Sequence, residues 1–264
     1  MNYKNIILQV VDLSKEVGVY LREEQKKLKA DDIEKKGQHD FVSYVDKTAE
    51  RKLIEKLKMI LPEAGFIAEE NSEKRIDKRF MWIIDPLDGT TNYIHRMSPF
   101  AISVGLMENQ EMVGGVVYEV GLNECFYAWK GGKAYMNGNE VTVSSTNQLE
   151  ESLLATGFPY YDYSRLESFM KSLNYFIQNT HGVRRLGTAA TDLVYVACGR
   201  LEGFYEYGLS PWDVAAGAFI VQQAGGKVSD YLGQDNYIFG KEIIATNEGI
   251  YTRFLNKIKE TMYP

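Results

Sequence analysis

"WIIDPLDGTTNYIH", residues 82–95, sets two carboxylates three residues apart directly behind an apolar run. Trp82, Ile83 and Ile84 are aromatic and β-branched, and they predict the buried end of a strand. Pro86 stops the strand, and Gly89 permits a sharp turn after it. Asp85 and Asp88 are both costly to bury, so their place at the mouth of an apolar strand calls for an explanation.

On either side of this stretch the pattern divides in two. Upstream, Ile6, Val10, Leu13, Val17 and Leu21 form one helical stripe that runs into the charged segment "REEQKKLKADDIEKKGQHD", read as a solvated helix end and loop. A second reading of that segment makes Lys35, Lys36 and Asp40 a flap over an anion site. A second helix is expected over 46–60, closed by Pro62, and "GFIAEE" reads as a strand. Downstream, "FAISVGLME", "EMVGGVVYEV" and "ECFYAWK" predict successive strands with turns at Asn109-Gln110 and Gly121-Leu122-Asn123, and "GGKAYMNGNEV" adds a short strand, giving a largely antiparallel sheet. From Glu151 the pattern alternates between strand and helix, with helices expected near 162–178 and from 188, 213 and 248. That alternation indicates a layered α/β half. No repeat, low-complexity tract or Pro-rich linker separates the halves, 1–150 and 151–264, so they are expected to share one interface in a single compact unit.

The 264 residues are 45% hydrophobic and 25% charged, enough to bury a large core. A net charge of −6 argues against nucleic acid or an anionic membrane as the main partner, since both require a basic face. A small anionic substrate stays open, because a bound cation can reverse the sign locally. Cys125 and Cys198 fit no metal or redox spacing and are expected to be core thiols in a reducing compartment. Charged residues interrupt the N-terminal segment and no apolar run approaches a membrane span, so a cytoplasmic protein is expected.

Three acidic spots share one design, an apolar strand or turn that delivers carboxylates: Glu69-Glu70, Asp85 with Asp88, and Asp213 in "SPWDVAAGAFIVQQAGG". Taken alone, Asp213 reads as an acid capping a helix start. The Asp85/Asp88 pair has two rivals. A calcium loop needs acids at alternate positions and a late Glu. An aspartyl-phosphate phosphatase needs one residue between its acids, where this chain has two, and covalent catalysis is disfavoured accordingly.

"WIIDPLDGTTNYIH", with "GFIAEEN" before it and "PWDVAAGAFIVQQAGG" after it, resembles the inositol monophosphatase family of magnesium-dependent, lithium-sensitive phosphatases over roughly residues 5 to 260. The resemblance implies an α/β fold, an αβαβα sandwich of the inositol monophosphatase/fructose-1,6-bisphosphatase type, with the site where the halves meet. It implies that Glu69, Asp85, Asp88, Asp213 and the Leu87 carbonyl ligate two or three Mg²⁺ ions, a set of hard oxygen donors suited to that ion. Cations would also make the acidic pair tolerable. Glu69, Thr90 and Asp46 would position and deprotonate an attacking water activated by metal, without a phosphoenzyme. Asp88, Gly89, Thr90, Gly187, Thr188, Ala189 and Glu206 would bind substrate, with Glu206 receiving its hydroxyls.

The substrate so implied is a small phosphorylated polyol or nucleotide, first of all inositol 1-phosphate. NADP(H), fructose 1,6-bisphosphate and adenosine 3′,5′-bisphosphate are the alternatives within the class, and a catalytically silent metal-binding relative is the alternative outside it. The resemblance also implies a homodimer. His39, His95 and His181 are read as surface or helix-end residues. Tyr160, Tyr161 and Tyr163 are read either as pocket lining or as an exposed loop or dimer contact.

Overall fold

Both faces of the strand that carries Asp85 are apolar because it lies between two layers of helices, and the strand runs on to Asp88 instead of stopping at Pro86, since a bulge absorbs the proline. The computed structural model describes residues 1–28, the backbone of 33–35 and 41–43, and residues 44–70, 78–160 and 162–263. Lys36, His39, Asp40, Tyr161 and the Lys35 side chain, all named above, lie outside the described residues. The chain begins with α1 (Tyr3–Lys27), β1 (Ile33–Lys35), β2 (Phe41–Ser43) and α2 (Tyr44–Ile60). β1 and β2 pair antiparallel, Ile33 opposite Ser43, where only a loop was expected.

A seven-stranded sheet follows from β3 (Gly65–Ala68), β4 (Phe80–Asp88), β5 (Ala101–Glu108), β6 (Glu111–Glu119), β7 (Glu124–Trp129), β8 (Ala134–Met136) and β9 (Asn139–Val141), joined in chain order. Only β3 and β4 pair in parallel; the other neighbours are antiparallel, and from β5 onward each is linked to the next by a short turn. The five residues of α3 (Thr90–Ile94) interrupt the path between β4 and β5.

The second sheet has the order β11-β10-β12-β14-β13, built from β10 (Leu153–Thr156), β11 (Gly182–Arg184), β12 (Gly203–Tyr207), β13 (Lys227–Ser229) and β14 (Glu242–Thr246). Its helices are α4 (Leu166–Asn179), α5 (Ala189–Ala197), α6 (Pro211–Gln223) and α7 (Tyr251–Met262). β10 pairs in parallel with β11 and β12 through helical crossovers, and β14 runs antiparallel to both neighbours.

Strand alternation sorts the core into layers. Trp82, Ile84, Ile102, Val104 and Leu106 pack with α1 and α2 on one face of the large sheet. Ala101, Val117 and Phe126 point the other way and share a core with Leu193 and Val194 of α5, Val214 and Phe219 of α6, and Phe204 and Ile243 of the small sheet. Leu154, Tyr205 and Ile244 meet Phe169 and Phe176 of α4 and Phe254 and Ile258 of α7 on the outermost face. The order is helices, sheet, helices, sheet, helices, an αβαβα sandwich with α5 and α6 in the middle. α6 is apolar all round for that reason: Val214–Val221 is continuously buried.

Close backbone approach holds the middle layer in place. A Cβ on Gly115 of β6 would lie 2.8 Å from the Ala216 carbonyl oxygen of α6, and one on Gly217 would lie 2.7 Å from the Leu193 Cβ of α5. Neither gap has room for a side chain.

Three helix starts differ from the sequence expectation, each because a side chain caps a different residue. α4 begins at Leu166 rather than near 162, since the Asp162 carboxylate accepts the Ser164 N–H in a local turn. α7 begins at Tyr251 rather than 248, since the Asn247 side chain accepts the Ile250 N–H. α6 begins earlier, at Pro211, with Ser210 as its cap.

Candidate active site

Residues three apart on a regular strand face opposite sides of the sheet, yet Asp85 and Asp88 share one side. The pairing with β5 shows how. Asp85 lies opposite Ser103 and Asp88 opposite Ala101, so two residues of β4, Pro86 and Leu87, bulge against one of β5. The bulge returns Asp88 to the face of Asp85. Pro86 contributes no ladder N–H, and the Leu87 N–H turns back 2.9 Å to Asp85 Oδ1.

Asp213 completes the group from the middle layer. Its Oδ2 accepts the Ser210 N–H at 2.7 Å in a capping box. Capping and clustering are both satisfied, because a carboxylate has two oxygens. Asp85, Asp88 and Asp213 each bring an oxygen within 4.8 Å of the others. Oxygens bound to one ion at 2.0–2.1 Å are separated by at most about 4 Å, so small side-chain shifts would close the three around a cation.

The electrostatics also favour a cation. Burial, then the charges of Glu69, Asp88 and Asp213, push the Asp85 carboxyl well above the usual range. Burial, then Asp88, does the same to Asp213. Asp88 is raised by burial to about 6, held down from a higher value by hydrogen bonds and by Arg185. Three such groups cannot all ionise without a positive charge among them. The donor set therefore fits a hard divalent ion.

Glu69 stands beside this group rather than within it. It follows β3, its N–H reaches the Ile84 carbonyl at 3.3 Å, and it lines the same cavity, but its carboxylate is not among those converging within 4.8 Å. The adjacent Glu70 N–H donates to Glu50 Oε2 at 2.7 Å, and Glu50 is fully buried. Glu50 was missed from the sequence, although it sits four residues after Asp46 on the same face of α2.

The Thr90 hydroxyl lies 3.2 Å from Asp46 Oδ1 and 3.0 Å from the Leu87 carbonyl. It has one proton, so it can serve only one of these acceptors fully at a time. Gly89 precedes it at φ 88°, a left-handed conformation that favours glycine, and a Cβ there would come within 3.2 Å of the Pro99 oxygen.

Thr188 caps α5, accepting the Thr191 N–H at 3.2 Å and donating to Asp88 Oδ2 at 2.5 Å, and the Ala190 N–H reaches the same oxygen at 2.8 Å. This ties the Gly187-Thr188-Ala189 turn to the acidic bulge. Asn92, a second residue missed from the sequence, donates to the Pro99 and Leu186 carbonyls at 2.7 and 2.8 Å and fixes the turn from the other side.

All these elements border one open cavity of about 860 Å³. Its lining includes Glu69, Asp88, Gly89, Thr90, Gly187, Thr188, Ala189, Glu206 and Asp213, whereas Asp46, Asp85 and Leu87 lie behind the surface. Glu206 on β12 is 8% exposed, and burial raises its carboxyl to about 8. Tyr160 lines the cavity, whereas Tyr163 is about half exposed and donates to the Tyr160 carbonyl. His95 caps the end of α3, as a helix-end residue. Cys125 and Cys198 are unpaired. Among the described residues no helix is long and apolar enough to cross a membrane.

Residues 2–263 match the profile of the inositol monophosphatase family. The inositol-1-monophosphatase of Mesorhizobium japonicum is 37% identical over 86% of both chains. The Nus factor SuhB of Escherichia coli is 39% identical over 86% of this chain and 85% of its own. The solved structure of an inositol monophosphatase from Anabaena (Nostoc) superposes with a TM-score of 0.88 at 33% identity, covering 99% of this chain and 98% of its own.

Proposed function

Because the chain belongs to the inositol monophosphatase family, we propose that it hydrolyses a phosphate monoester, inositol 1-phosphate first among candidates, with Mg²⁺ held by its acidic cluster. The observation that carries this reading is the convergence of Asp85, Asp88 and Asp213 beside a Thr90 hydroxyl directed at Asp46. Asp85, Asp88, Asp213, Glu69 and the Leu87 carbonyl would hold two or three ions. When bound, such ions neutralise the carboxylates, acidify water and stabilise the departing oxygen.

The chain's own groups account for the rest. Thr90 Oγ1 orients the attacking water from one side, and its proton rests on Asp46 Oδ1. Glu69, at the cavity wall, accepts a proton from that water. Asp88 is kept in place by Thr188 and Ala190, so the first turn of α5 and the Gly89 turn keep a fixed separation across which a phosphate can lie. Glu206 faces the leaving group and exchanges hydrogen bonds with its hydroxyls. Water attacks phosphorus directly, and no residue becomes phosphorylated.

Similarity does not by itself select an enzyme, since a relative of comparable identity is named a Nus factor. The complete set of Thr90, Asp46 and acidic ligands favours catalysis over a silent, partner-binding relative. Inhibition by lithium, a homodimer, one unit formed from the halves 1–150 and 151–264, and a cytoplasmic site of action belong to the same reading. Phosphate release from inositol 1-phosphate, NADP(H), fructose 1,6-bisphosphate and adenosine 3′,5′-bisphosphate, with Mg²⁺ and with EDTA, tests it. Mg²⁺-dependent turnover with the highest kcat/KM on inositol 1-phosphate is expected. No turnover of any of them would leave the silent reading.

A further inference from the structure

Three charged side chains in the cavity have no role in the site described so far, or only part of one. Asp192, in the first turn of α5, is 1% exposed, and its Oδ1 is buried without a hydrogen-bond partner. Arg185 follows β11, and its Nε is likewise buried and unpartnered. Glu206 is 8% exposed, and its carboxyl is raised by burial, held down by Arg185 and raised further by Asp88. All three line the same cavity, and Arg185 is the positive charge acting on both Asp192 and Glu206. Buried polar groups are normally satisfied, and two orphan atoms on side chains that line one cavity point to a ligand that draws these side chains into hydrogen bonds.

We propose that Asp192 is a specificity-determining residue that, with Glu206, binds vicinal hydroxyls of the leaving group, and that Arg185 is the positioning residue between the two carboxyls. This rests on the phosphatase reading above and narrows its substrate class to polyol phosphates. A hydroxyl both donates and accepts, so adjacent hydroxyls match a surface that alternates carboxyl, guanidinium and carboxyl. A second phosphate on the leaving group matches poorly, because it would face two carboxyls, Asp192 and Glu206, with a single guanidinium between them. A nucleobase also matches poorly. The Arg185 guanidinium already lies 5.6 Å from the Phe158 ring centre and 5.4 Å from that of Tyr160, covering a face of each ring.

The test uses the full chain with Mg²⁺ and two substrates, inositol 1-phosphate and phenyl phosphate, whose leaving group has no further hydroxyl. Asp192→Ala is expected to lower kcat/KM for inositol 1-phosphate by roughly ten- to a hundred-fold, chiefly through KM, and to change phenyl phosphate by less than about threefold. Asp192→Asn should show a smaller loss of the same kind. Its melting temperature without substrate should be equal to or above that of the wild type, because a carboxyl that burial disfavours in its charged form gives way to an uncharged amide of the same shape. Arg185→Gln should raise KM for inositol 1-phosphate more than it lowers kcat. Equal losses on both substrates, or a lower melting temperature for Asp192→Asn, would reassign Asp192 to structure and overturn the proposal. Wild-type turnover of both substrates with Asp192→Ala unchanged would overturn it alone. Wild-type failure on every monoester would remove the phosphatase reading and the proposal together.

Discussion

Gly157 and the carboxyl group of Glu206 are in such close register that a Cβ on residue 157 would overlap both carboxylate oxygens. Residue 157 follows β10, which pairs in parallel with β12, so the sheet itself presses this glycine against the Glu206 side chain. The obstacle is the far end of a flexible side chain, not backbone. Gly157→Ala should therefore fold normally while turning the Glu206 carboxylate out of its place. The expected result is a roughly ten-fold or larger fall in kcat/KM for inositol 1-phosphate, with p-nitrophenyl phosphate little changed. Unchanged kinetics on both substrates would show that Glu206 does not contact the leaving group.

The Thr90 hydroxyl and Asp46 carboxylate should behave as a unit. Thr90→Ala, Asp46→Asn and the double variant are each expected to lose about the same factor in kcat. Independent, multiplying losses in the double variant would contradict the pairing.

Protons and cations should compete for the acidic cluster, in a direction fixed by the raised carboxyls. Asp88 titrates near 6 in the folded chain against an ordinary 3.8, and Glu206 near 8 against 4.5. A raised acid binds its proton more tightly folded than unfolded, so folding is penalised in full above the folded value and not at all below the unfolded one. In EDTA the melting temperature should climb as the pH falls from about 9 through about 6 toward about 5. Mg²⁺ should raise the melting temperature most at the alkaline end, and its effect should fade as the pH falls through about 6. A metal-free melting temperature that drops across the same window would contradict the burial of these charges.

Asp213 combines a cap with a charge, and substitution can separate them. Asp213→Asn keeps an acceptor for the Ser210 N–H while removing the negative charge. It should retain the fold by circular dichroism but lose most activity and most of the stabilisation by Mg²⁺. Asp213→Ala should also lose roughly 1 kcal/mol of stability through the broken cap. Full activity in Asp213→Asn would exclude this residue from the ion site.

Glu50 offers a check on a contact away from the reacting atoms. Glu50→Ala leaves the Glu70 N–H without this acceptor, and a loss of about 1–3 kcal/mol of stability is expected by denaturant unfolding. Wild-type stability would mean that another group takes over the N–H.

Much of the layered architecture was readable because it depends on local periodicity: the stripe Ile6 to Leu21, the antiparallel run from Ala101 to Val141, and the strand–helix alternation after Glu151. What escaped depends on partners distant in sequence, or on which nearby backbone N–H a side chain takes. The bulge that brings Asp85 and Asp88 to one face is visible only against Ser103 and Ala101. The helix starts at Leu166 and Tyr251 were set by single side chains, Asp162 and Asn247, that compete for backbone N–H groups. Asp192 falls inside the helix expected from 188, and the sequence offered no role for Arg185. Only the fold shows that both line one cavity, with Asp192 Oδ1 and Arg185 Nε buried and lacking a hydrogen-bond partner.

Gly115 has one more consequence. Its missing side chain lets the Ala216 backbone rest directly on β6, and α6 carries Asp213 to the acids of the neighbouring β4. The three acids are thus set like the jaws of a calliper, with backbone against backbone as the stop. One methyl group at residue 115 would act as a shim, backing Asp213 away from Asp85 and Asp88. Gly115→Ala should then shift the order of metal-dependent stabilisation from Mg²⁺ toward the larger Ca²⁺, and an unchanged order would show that α6 yields elsewhere. A shift in that order would mean that the ionic radius the acidic cluster accepts is gauged in part by a residue whose side chain is a single hydrogen.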